Sequence, residues 1–345
     1  MVFVFRNIWS LKHSMTSDND IVVRLSRSVD GYITLLNPRV CVVLHCTDPA
    51  RRIVQYKKMS SKITASYENV SEVADHIRKL INIKPEIGIV CGSGLGELAN
   101  GVQNATVIPY VDIPGFPNST VQGHSGNLVF GTLSGRKVVV MQGRFHMYEG
   151  WTRHEIAIPI RVMKLLGVKT LLLSNAVGGL NRDLKGGDFV VLKDHLYFAG
   201  LGLNGILVGE NEDKFGPRFP ALSDAYDSDL RKLAIKIARE EKFGDVVHEG
   251  VYGMNGGPCY ETPAECKMML MMGCDVVGMS TIPEVIFARH CGMKVLAISL
   301  VTNISVLDVD SKVCANHEEV LAMSNKRATL LQSWFAKIIS RLPSE

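Results

Sequence analysis

The chain has 345 residues, of which 46% are hydrophobic and 21% charged, the balance of an ordinary soluble globular protein with a large core. Its formal charge of +4 is unevenly placed: residues 1–60 hold nine of the 38 Lys/Arg and four of the 34 Asp/Glu, which leaves 29 basic and 30 acidic residues for the rest. The bulk of the chain is therefore not basic, which removes a nucleic-acid partner, and no run of about 18 apolar residues exists to cross a membrane.

The first segment, "MVFVFRNIWSLKHSM", is short and apolar and is followed by basic patches. Asp18, Asp20 and Asp30 and the lack of a small-residue cleavage site argue against a targeting signal. Residues 1–60 thus read as an N-terminal extension, disordered or loosely attached, and residues 61–345 as one domain. The eight cysteines form no C-x-x-C pair, so neither a zinc site nor a disulfide framework is expected, and reduced thiols in a cytoplasmic protein fit better.

From residue 66 onward, apolar strands alternate with amphipathic helices. "YENVSEVADHIRKLI" has helical spacing at Val70, Val73, Ile77 and Leu80, and Pro85 leads into the strand "EIGIVCG". "RKVVVMQG", "VKTLLLSNAVGG", "DFVVLKDH", "CDVVGMS" and "KVLAISLVTN" read as further buried strands, so the fold class is α/β, a single domain with a central sheet flanked by helices. Thr262 and Thr281 each open a T-x-x-E capping box with proline in the first turn, and Gly273 and Gly292 stand where those two helices should stop. Residues just before such caps sit at strand-to-helix crossings, where α/β folds bind ligands.

Several stretches at these crossings carry polar groups. In "VCGSGLGELA" the glycine-rich turn and Ser93 suit either an anion cradle or a plain tight turn; neither the dinucleotide nor the P-loop spacing is met. In "QGRFHMYEGW", Arg144 and His146 fall on one side if the segment is extended, which suits bidentate phosphate binding or merely a solvated polar face. "LSNAVGGLN" offers backbone donors near Ala176, "VVGMSTIPE" places Ser280 at a helix start, Glu261 precedes a cap, Asn303 ends a strand and His317 begins a helix. Each has an equally ordinary structural reading when taken alone.

Together, "GSGLG", "FPNSTVQGHSGNLVFG", "QGRFHMYEG", "SNAVGGLN", "RFPALSDAYD", "GPCYETPAE", "VGMSTIPEVI" and "ANHEEVL" follow the order and spacing of the trimeric purine nucleoside phosphorylases, which the chain resembles over roughly residues 67–340. The resemblance implies a mixed, twisted sheet and a phosphate site of Ser93, His124, Arg144, His146, Ala176 N–H and Ser280. It implies a ribose site of Tyr148, Met279 and His317, with Phe219 lent by a neighbouring subunit of a homotrimer. Tyr260, Val277, Glu261, Thr302 and Asn303 would hold the purine, and Glu261, Asn303, His146 and His317 would act most directly in catalysis. Tyr260, Cys259 and Ile304 stand where the mammalian pattern has Phe, Ser and Lys, which puts affinities in question but removes no group the chemistry needs.

The reaction so implied is reversible phosphorolysis of 6-oxopurine nucleosides such as inosine and guanosine, in purine salvage, with inorganic phosphate as co-substrate and no cofactor or metal. The alternative is the homologous methylthioadenosine phosphorylase. That enzyme has Asp in place of Asn303 and an apolar pocket in place of His317, so both positions favour a free 5′-hydroxyl and a 6-oxo base.

Overall fold

The computed structural model describes residues 65–92, 95–121, 124–202 and 204–343, together with the backbone of three short strands near the N-terminus. Those strands, β1 (Leu11–Met15), β2 (Ile21–Leu25) and β3 (Ile53–Tyr56), pair antiparallel in the order β1-β2-β3. The chain divides into two compact units, residues 1–62 and 63–345. The expectation of a loosely attached extension lies largely outside the described residues.

The larger unit begins with α1 (Tyr67–Leu80), capped by the Ser66 hydroxyl, which accepts from the Asn69 N–H at 3.3 Å. Its strands follow as β4 (Ile87–Cys91), β5 (Gln103–Pro109), β6 (Asn127–Leu133) and β7 (Arg136–Gln142), then α2 (Arg153–Leu166), β8 (Thr170–Gly179), β9 (Phe189–Tyr197) and the single turn α3 (Phe198–Leu201). After α4 (Ser228–Glu240) come β10 (Val247–Met254), α5 (Pro263–Met271), β11 (Val276–Gly278), α6 (Ile282–His290), β12 (Lys294–Ile304) and α7 (His317–Ser340).

The sheet order is β11-β10-β9-β12-β8-β4-β7-β6-β5. It is mixed: β7, β4, β8 and β12 run parallel, β5-β6-β7 is an antiparallel meander, and β9 meets β12 antiparallel. β11 also pairs antiparallel with the end of β8, so one half of the sheet closes on itself. The expected α/β architecture with a mixed central sheet is what forms.

Helices cover both faces because the central strands are apolar on both sides. β4 is buried along its whole length, and β12 is buried over eight consecutive residues, 295–302, before it reaches the site. One core layer packs α1, α2 and α6 against the sheet, and the other packs α4 and α7. Trp334 of α7 is fully buried against Phe189 and Phe243, and its indole N–H donates to the Ala234 carbonyl at 3.0 Å, which ties α7 to α4. The C-terminal ends of β4, β7, β8, β11 and β12 are thereby held at one rim, where the polar residues gather.

Candidate active site

Two local devices shape that rim. Gly143, directly after β7, has φ of +108°, and a Cβ there would lie 2.6 Å from the His124 Cβ, so only glycine lets the chain turn this close to the histidine. At the end of β12 the register against β8 slips between Val301 and Asn303, leaving Thr302 as an extra residue. Such a bulge re-aims the side chains beyond it, and here both Thr302 and Asn303 line the cleft.

The cleft spans about 690 Å³ of space that is partly open to solvent. Arg144, His146, Tyr148, Ala176, Tyr260, Glu261, Val277, Met279, Ser280, Thr302, Asn303 and His317 all line it. Twelve residues singled out from sequence therefore converge on one cavity. Of the other three, His124 and Phe219 do not line it. Ser93 lies outside the described residues. His124 sits behind the wall, its ring stacked on His146 at 5.6 Å. Phe219 is 86% exposed, away from the cleft of its own chain, with the Arg218 guanidinium 5.4 Å from its ring.

Arg144 is only 1% exposed, and the segment carrying it is a loop beyond β7 rather than a strand with a solvated face. Its Nε donates to Glu284 Oε1 at 3.0 Å, its Nη1 donates to Ser280 Oγ at 3.0 Å and Thr281 Oγ1 at 3.2 Å, and its Nη2 has no acceptor among the described residues. A buried guanidinium with a spare donor suits an anionic ligand.

His146 is fixed from behind by Glu149, whose Oε1 lies 2.9 Å from Nδ1 and accepts the His146 backbone N–H at 2.8 Å. Burial alone would raise the Glu149 carboxyl, but hydrogen bonds from His146 and Thr120 outweigh it and hold the group down at about 2. The ring therefore gives Nδ1–H to a carboxylate and keeps Nε2 for the cleft. Tyr148 stacks on the same ring at 4.6 Å. Burial, helped by the charges of His146 and Arg144, pushes His124 down to about 4, so it is a neutral ring, with Nδ1 within 3.1 Å of the Arg144 carbonyl.

Asn255 Nδ2 donates to Glu261 Oε1 at 2.9 Å and to the Cys259 carbonyl at 3.0 Å, holding the carboxylate over the cleft. The one hydrogen of Thr302 Oγ1 has two acceptors in reach, Asn303 Oδ1 at 3.1 Å and the Val177 carbonyl at 3.2 Å, and neither contact uses the Asn303 Nδ2 hydrogens. His317 opens α7 next to its cap Asn316, whose side chain accepts from the Glu319 N–H at 2.8 Å.

The model of the Phosphorylase superfamily matches residues 86–340. The bovine (Bos taurus) purine nucleoside phosphorylase is 45% identical over 278 residues, 81% of this chain and 96% of that protein. Crystal structures of the Schistosoma mansoni purine nucleoside phosphorylase align with a TM-score of 0.79: the adenosine complex at 70% identity over 82% of this chain and 100% of that one, the inosine complex at 68% over 82% and 99%. The chain belongs to the purine nucleoside phosphorylases of the phosphorylase superfamily. Within this phosphorylase cleft, sequence reasoning overlooked the supports: Glu149 behind His146, Asn255 behind Glu261, and Thr281 and Glu284 around Arg144. Only Glu149, three residues after His146, left a local signal.

One expectation about the phosphorylase site needs correction. Thr262 and Glu265 form the capping box read from sequence, but Thr281 and Glu284 do not: Thr281 makes no side-chain cap, and Glu284 is turned to Arg144. The buried Arg144 competes for both box residues and takes them. Gly273 and Gly292 do end their helices, at φ of +89° and +69°.

Proposed function

We infer that the chain catalyses reversible phosphorolysis of purine nucleosides, giving the free base and pentose 1-phosphate, with inosine and guanosine as its substrates. The single observation that carries this is the cleft itself. A buried guanidinium with neighbouring polar groups (Arg144, His146, Ser280) and a base-edge pair (Glu261, Asn303) line one cavity together with Tyr148, Met279 and His317.

Each set meets one half of the charge that develops as the glycosidic bond breaks. Phosphate, held by Arg144, Ser280, the Ala176 N–H and Ser93, faces the sugar as it becomes cationic, so the attack is positioned rather than bimolecular. His146 Nε2 accepts the hydrogen of a protonated phosphate oxygen, while neutral His124 supports the loop carrying Arg144 without adding charge. At the leaving base, Asn303 Nδ2 donates to N7 and O6 as negative charge grows there, and Glu261 accepts the N1 hydrogen. His317 holds the 5′-hydroxyl. The resident groups act as donors, acceptors and one fixed cation, so no cofactor or metal enters this scheme.

The 6-position is read by polarity. In an adenine base N1 is an acceptor facing Glu261 and the 6-amino group is a donor facing Asn303 Nδ2, so the edge is mispaired twice. A related structure holds adenosine, so admission to the cleft is not the measure; rate is. The methylthioadenosine alternative is not favoured: Asn303 and His317 line this cleft where that enzyme would need a carboxylate and an apolar wall. Side-by-side kcat/KM values for inosine, guanosine, adenosine and methylthioadenosine test the reading. It expects the two 6-oxopurines to lead by at least a hundredfold, and a lead by methylthioadenosine would overturn it.

The exposed Phe219 supports a homotrimer in which this ring completes the neighbouring sugar site, in a cytoplasmic setting and without nucleic-acid or membrane partners. Sedimentation as three chains is the expected result, and a fully active monomer would count against it. Residues 1–60 are read as accessory to this function.

A further inference from the structure

The helix starts at Thr262 and Thr281 share the T-x-x-E pattern and the early proline, yet only the first uses them to cap itself. Thr281 instead sits at φ of +72° and ψ of −51°, the centre of a tight γ-turn closed by the Ile282 N–H donating to the Ser280 carbonyl at 2.8 Å, a conformation that a β-branched residue rarely adopts. What it gains there is a set of hydrogen bonds. Thr281 Oγ1 accepts from Asn175 Nδ2 at 2.9 Å and from Arg144 Nη1 at 3.2 Å, and it lies 3.2 Å from Ser280 Oγ. Ser280 Oγ itself accepts from Arg144 Nη1 at 3.0 Å.

A hydroxyl has one hydrogen and two acceptor lone pairs, and that count settles the direction of the chain. Two incoming donors fill both lone pairs of Thr281, so its own hydrogen goes to Ser280. Ser280 has then also accepted twice, and its one hydrogen has no acceptor among Arg144, Asn175 and Thr281; the neighbouring Tyr252 hydroxyl, which accepts the Ser280 backbone N–H at 3.2 Å and also meets the Ser280 side chain, is the competing acceptor. Ser280 lines the cleft and Thr281 is buried, so that hydrogen is free to turn to an anionic ligand there, a stronger acceptor than the Tyr252 hydroxyl.

We propose that Thr281 is a positioning residue for the anion: without touching it, Thr281 donates to Ser280 Oγ and thereby fixes Ser280 as a hydrogen-bond donor to bound phosphate. Left to rotate, the Ser280 hydroxyl would present a lone pair to phosphate for part of the time, which repels. The strained, uncapped start of α6 is the structural concession that keeps Thr281 Oγ1 in the cluster. This inference rests on the phosphorolytic reading of the cleft.

The test is a double-mutant cycle read in the KM for inorganic phosphate, with direct titration of hypoxanthine as the control for an intact fold. Thr281→Val keeps the shape and removes the hydroxyl; it should raise the phosphate KM about tenfold while hypoxanthine binding stays as in the parent. Thr281→Ser should recover most of that loss. In the Ser280→Ala background, Thr281→Val should add less than twofold, because the group it directs is already gone. Thr281→Ala provides the same comparison without a β-branch if the valine variant does not accumulate. Equal effects of Thr281→Val with and without the Ser280 hydroxyl, or no effect at all, would overturn the relay. If Ser280→Ala alone left the phosphate KM unchanged, the phosphate assignment of this part of the cleft would fail instead.

Discussion

Arg144 and Glu284 are 1% and 4% exposed and joined at 3.0 Å, so each is a liability without the other. Arg144→Ala removes phosphate donors, but it also strands a buried carboxylate, a loss of about 3–5 kcal/mol in comparable pairs. Two effects are therefore expected together: a phosphate KM raised by one to two orders of magnitude and a clearly lower Tm. Arg144→Ala/Glu284→Gln should regain much of the Tm and none of the phosphate affinity. Recovery of both, or of neither, would show that the pair is not organised as described. At the base edge, Asn303→Asp replaces donors with acceptors. Inosine should lose most, since the charge on its leaving base would face a carboxylate, while adenosine's 6-amino group gains an acceptor. With about 1–3 kcal/mol for each mispaired polar group, the inosine-to-adenosine ratio of kcat/KM should swing by at least tenfold. An unchanged ratio in the correctly assembled variant would mean that Asn303 does not read the 6-position.

At the level of elements, what was legible in the sequence was whatever has a local cause. The apolar runs at 87–91, 136–142 and 294–304 announce strands, and the spacing of Val70, Val73, Ile77 and Leu80 and the Thr262 cap announce helices, because the responsible groups lie within four residues of one another. Arg144 and His146 could not be told from a solvated strand face, since their burial depends on α6 and Glu149 rather than on spacing. The bulge at Thr302 and the γ-turn at Thr281 are likewise products of tertiary contacts: neighbours from β8 and Arg144 override local preference. The start of α1 has a similar long-range role. Tyr67 N–H donates to Glu212 at 3.2 Å, its ring meets Phe215 at 5.4 Å, and Lys214 pairs with Glu68 at 2.9 Å, so residues 67–68 brace the loop leading to Phe219. A chain started at Met59 should keep full turnover and assembly. One started at Asn69 should lose nucleoside affinity before phosphate affinity. A tenfold loss in the Met59 form would instead make residues 1–58 part of the working enzyme.

For the molecule as a whole, acid weakens the fold through the groups around Arg144 and His146. His124 is depressed to about 4 from an ordinary 6.5, so the unfolded chain takes up the proton first; the stability due to neutral His124 is complete above pH 6.5 and is lost as pH falls toward 4. Glu149, held at about 2 against 4.5, adds a second loss that begins only below pH 4.5. Tm should thus decline already between pH 6.5 and 4.5, and His124→Asn should flatten that decline without altering the steeper one below it. A parallel decline in the variant would assign the effect to other groups.

The central claim is that the guanidinium and the base-edge pair of one cleft serve a single displacement by phosphate. The most direct measurement follows inosine by base release and by phosphorus NMR together, with and without inorganic phosphate. The account predicts that hypoxanthine appears only when phosphate is present, in one-to-one yield with ribose 1-phosphate, and that added hypoxanthine and ribose 1-phosphate regenerate inosine. Hypoxanthine released at the same rate without phosphate, accompanied by free ribose, would contradict it.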